Sequence, residues 1–64
     1  MNNPTDEQID LLAKAQARAY WAGVIRKFSL EIDRPLITGA MIEAAVNCDY
    51  TNWRASAQEA LERL

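Results

Sequence analysis

Between Thr5 and Pro35 the chain offers one long helical stretch, and its apolar residues change sides halfway along. Thr5 and Gln8 form a Thr-x-x-Gln capping box, with Pro4 placed to pack on Ile9. Asp6, Glu7 and Asp10 put carboxylates near the positive end of the helix dipole. Good helix formers fill the interior. Pro35 ends the stretch by pushing Arg34 out of the α region. The spacing predicts a helix over about 6–33, ~40 Å long at ~1.5 Å per residue.

At about 100° per residue, Ile9, Leu11, Leu12, Ala15 and Ala19 share one side of the first half. Asp6, Asp10, Lys14 and Arg18 take the other. After Tyr20 the pattern turns over. Trp21, Val24, Ile25, Phe28 and Ile32 gather where the charges stood. A straight helix of this kind buries opposite faces at its two ends. Short helices wrapping around it, or a kink near Gly23, would account for the change. The preferred expectation is that one face meets the chain's own helices and the other a second subunit. Ala15, Ala19 and Ala22 would then allow close approach.

Asp33–Ile37 reads as a short connection, with Thr38 as the next cap and Ile37 and Ile42 as a hydrophobic staple. A second helix over about 39–48 carries Met41, Ala44, Ala45 and Cys48 on one side and Ile42 and Val46 on an adjoining one. Its only charge is Glu43, so it is expected to be mostly buried. Asn47–Thr51 reads as a turn, capped by Thr51 in preference to Asp49. A third helix over about 52–64 aligns Trp53, Ala57, Ala60, Leu61 and Leu64, with Arg54, Gln58, Glu59, Glu62 and Arg63 facing away. No segment alternates with period two.

The fold class is therefore all-α in one domain over 1–64: a long helix with two shorter ones packed on it. The short helices either turn back as a bundle or lie end to end along the long one. A chain of 64 residues buries only about 60% of its unfolded surface. Eleven of its 32 apolar residues are alanine, so the core is small and a helical homodimer is expected.

Nine acids against seven bases leave a net charge of −2, which argues against non-specific attraction to nucleic acid or an anionic membrane. Cys48 is the only cysteine; it permits no intrachain disulfide and reads as a small core residue in a reducing compartment. The N-terminus is polar and acidic, unlike a signal peptide. No apolar run approaches the ~20 residues that span a bilayer. The expectation is a cytoplasmic protein.

The chain has no histidine, and one cysteine cannot build a zinc site. Asp6 with Asp10, and Glu59 with Glu62, read as solvated helix faces. Gly23 and Gly39 are isolated, so no phosphate loop exists. No enzyme activity, cofactor or metal is expected. Two aromatic–basic clusters stand out: Arg18, Tyr20 and Trp21 with Arg26 and Lys27, and Asp49, Tyr50, Asn52 and Arg54 around Trp53. Tyr, Trp and Arg are the usual anchors of binding hot spots. Arg18, Tyr20, Trp21, Asp49, Tyr50, Asn52 and Arg54 are thus the candidate partner-binding residues, with Tyr50 as the expected exposed aromatic. Trp21 and Trp53 also fit ordinary core packing.

The leading expectation is a non-catalytic protein that acts stoichiometrically on a partner protein, as an inhibitor or adaptor. One alternative is an oligomer that sequesters a nucleotide, with rings stacking the base and arginine holding phosphate. Another is a helix-turn-helix regulator presenting Asn52, Arg54, Ser56 and Gln58 to DNA. Glu59, Glu62 and a turn without glycine disfavour it. The short, alanine-rich form resembles small proteins of phages and other mobile elements in a general way, with no motif to carry over residue by residue.

Overall fold

A computed structural model describes residues 3–32 and 38–64, the side chain of Thr38 excepted. The helix end at Asp33, the connection 33–37 and the Thr38–Ile37 cap and staple lie outside the described residues. Helix α1 runs Asp6–Glu31. Its cap is as read: Thr5 accepts from the Gln8 backbone N–H at 3.1 Å, and its own N–H donates to Gln8 Oε1 at 3.0 Å. Helix α2 runs Thr38–Asp49 and α3 runs Arg54–Glu62, joined by a single 3₁₀ turn over Tyr50–Trp53. No strand occurs among the described residues.

The two short helices lie end to end along α1. Each packs on α1 and neither packs on the other. The expected turn over 47–51 is corrected: the chain stays helical through it and does not reverse. It contains no glycine or proline, and Asp49, which could have capped a new helix, makes no cap hydrogen bond. Thr51 does not cap α3 either; the chain enters α3 from Trp53 without a side-chain cap. The result is an elongated hairpin, 47 × 17 × 14 Å, only two helices thick.

Along α1 the buried row is Ile9, Ala13, Ala17 and Ile25. These residues step by four or by multiples of four. Each step advances about 40° around the axis, so the row winds about 160° from Ile9 to Ile25. The second arm follows that track, with Ile42 and Val46 of α2 against Ala17 and Ile25, and Ala57 of α3 against Ile9 and Ala13. The change of face read in the sequence is absorbed in this winding.

Several burial expectations are corrected. Leu11, Ala15 and Ala19 are exposed, and Ala13 and Ala17 are the small residues that admit the second arm. On α2 only Ile42 and Val46 are buried; Met41, Ala44 and Cys48 face outward, so α2 is half-covered and Cys48 is no core residue. On α3, Ala60 and Leu64 are exposed while Ala57 is buried. The charges expected to be solvated flank the seam instead. Arg18 holds Glu43 through both carboxylate oxygens, at 2.8 and 2.9 Å. Arg54 pairs with Asp10 and, at 3.1 Å, with Asp6. No helix among the described residues is long and apolar enough to cross a membrane.

Candidate functional site

The joint between α2 and α3 carries the densest chemistry of the hairpin. Asp49, Asn52, Trp53 and Ser56 fall at i, i+3, i+4 and i+7, which places them on one side of the second arm. Trp21 reaches them from α1. Its indole N–H donates to Asp49 Oδ2 at 2.8 Å, and the indole of Trp53 donates to the same oxygen at 2.8 Å. Asn52 Nδ2 donates to Oδ1, again at 2.8 Å. Three of the roughly four acceptor sites of the carboxylate are thus filled. The Asn52 amide first, then the indoles of Trp53 and Trp21, hold the Asp49 carboxyl below its ordinary range.

Tyr20 completes an aromatic trio. Its ring meets Trp21 edge-on, with centroids 5.1 Å apart at 88°, and lies 5.6 Å from Trp53 at 49°. Such edge-on and tilted contacts suit ring quadrupoles better than face-to-face stacking. Tyr20, Trp21, Asp49, Asn52, Trp53 and Ser56 together line an open recess of about 510 Å³. One turn before Tyr20, the Oε1 atom of Gln16 is buried without a hydrogen-bond partner.

Four of the seven candidate residues meet here: Tyr20, Trp21, Asp49 and Asn52. The other three do not line the recess. Arg18 is two residues from Tyr20, and residues so spaced do not share a helix face. It is taken up by Glu43. Arg54 is taken up by Asp10 and Asp6, so its expected outward orientation is corrected. Tyr50 is half-buried and packs against both core clusters, with the Lys14 ammonium 4.9 Å from its ring centroid. Among the candidate residues the exposed aromatic is Tyr20 rather than Tyr50. From the sequence Ser56 falls on the DNA-reading surface of the alternative reading, and Trp53 sits in the second aromatic cluster but equally fits core packing. The 49–52–53–56 spacing is the signal that joins them to the site.

No group of three or more metal-ligating side chains forms among the described residues. Compared with known proteins, the chain matches no family model, no curated protein and no solved structure.

Proposed function

We propose that the chain is a non-catalytic binding protein that occupies a partner protein through the aromatic recess, as an inhibitor or adaptor does. The observation that carries this reading is an open recess walled by three aromatic rings, whose one carboxylate is already committed to three donors. A carboxylate so held, with its proton affinity lowered, is a poor general base. Aromatic walls beside a fixed negative charge suit an arginine or lysine side chain from the partner.

The same geometry favours this reading over its alternatives. A nucleotide needs a cation for its phosphates, and among the described residues no lysine or arginine lines the recess. A helix-turn-helix needs two helices set at a steep angle, whereas α2 and α3 run end to end.

The test is affinity capture from the native cell extract with the wild-type chain and two variants, Tyr20→Ala and Ser56→Trp. Both positions are exposed, so each variant is expected to stay helical by circular dichroism. A partner held stoichiometrically by wild type should bind Y20A at least about tenfold more weakly, the loss typical of a hot-spot aromatic. Ser56→Trp should block the recess and abolish capture. A partner retained equally by both variants sinks the reading. A thermal shift with ATP or GTP would favour the nucleotide alternative.

A further inference from the structure

Beside the seam, α1 exposes four large apolar side chains in one row: Tyr20, Val24, Phe28 and Ile32, at 51%, 39%, 50% and 37%. Their spacing of four makes them a single ridge of the helix surface. Scattered exposed leucines such as Leu11 and Leu30 are ordinary, whereas a contiguous apolar ridge marks an interaction surface.

We propose that this ridge is the twofold interface on which a second copy of the chain docks, with the two α1 helices antiparallel. The proposal stands independently of the recess reading. Surface area is the first argument. A folded chain of 7.2 kDa ordinarily exposes about 4100 Å². This one exposes 4800 Å². The surplus of roughly 700 Å² belongs to the whole slender chain, and the ridge is the contiguous apolar part of that exposed surface.

Charge is the second argument. Lys27 and Glu31 lie four residues apart along the outer edge of the ridge, and neither pairs with another described residue. A twofold interface is self-complementary: if one residue meets another, the reverse contact forms as well. With Phe28 on the axis, Val24 lies opposite the partner's Ile32. Lys27 then sits ~3 Å along the helix from the partner's Glu31, within reach of both side chains. The two-fold makes that pair twice. In this register Tyr20 is ~12 Å from the axis, past the partner's Ile32, and the two recesses lie ~24 Å apart along the helices.

The experiment is native mass spectrometry with sedimentation equilibrium on the full chain across the micromolar range. Wild type is expected to be a dimer, and Phe28→Asp a helical monomer. The exposed charges give a second arm that does not perturb the core. Lys27→Glu alone and Glu31→Lys alone should each weaken the dimer several-fold. Mixing the K27E and E31K chains should yield the heterodimer in excess over both homodimers. A monomeric wild type overturns the proposal. So does a dimer that F28D leaves intact, or purely statistical pairing in the mixture. A different protein found seated on the ridge in a one-to-one complex also overturns it. If F28D unfolds, the charge-swapped pair decides alone.

Discussion

Asp49 concentrates the chemistry of the joint in one side chain. Its carboxylate ties α1 to the second arm through Trp21, and the 3₁₀ turn to α2 through Trp53 and Asn52. Its pKa is lowered in the folded chain, against an unfolded value of about 3.9. Between those two values the unfolded chain binds more protons, so stability rises with pH there. The contribution is fully present above the unfolded value and is lost as pH falls through the folded one. Thermal midpoints of wild type followed from pH 7 into the acid range should drop below about pH 4. Asp49→Asn should have a lower midpoint at neutral pH and a flatter acid limb. An Asn variant with the wild-type acid profile would remove Asp49 as the cause. Tyr50 makes a related point about burial. In the sequence it stands beside a polar stretch and reads as exposed, yet its ring spans the two core clusters.

Helix α1 shows how a row of small residues sets the path of a partner. Ala13 and Ala17 are fully buried, and the second arm lies directly on them. Ala17→Leu should therefore destabilise the chain by about 1–3 kcal/mol through overpacking. Ala15→Leu, on the exposed side, should stay within about 0.5 kcal/mol of wild type. Urea denaturation of the two variants measures both. Equal effects would mean that the buried row is misplaced. The flanking ion pairs decide register more than stability. Arg18 and Glu43 are about half exposed, and such surface pairs contribute little. Their placement on both arms still disfavours a slipped alignment.

The molecule as a whole is longer and thinner than its length requires. Its radius of gyration is 13.9 Å. A compact domain of 64 residues would have about 10.7 Å. Small-angle scattering from a monomeric variant such as F28D should give the elongated value. A value near that of a compact domain would mean that α2 and α3 fold back on each other as a bundle. The same slenderness leaves a core of seven buried residues among those described, three of them alanine, and explains why so much apolar surface faces outward.

The start of α1 with its capping box, the all-α class and the absence of strand pattern were legible in the chain because each depends on neighbours within four residues. So was the change of face along α1, which is a property of spacing alone. The side that each half buries was not legible. The expected stripe of Leu11, Ala15 and Ala19 and the buried stripe of Ala13 and Ala17 are both apolar, and periodicity cannot rank them. Tertiary contacts between residues 25 to 48 positions apart made the choice: Arg18 to Glu43, Trp21 to Asp49, Arg54 to Asp10 and Asp6. Those contacts turned charges that looked solvated into the edges of a seam. The chain stays helical through Tyr50–Trp53, which lays α3 along α1 and brings Trp53 and Ser56 beside Tyr20.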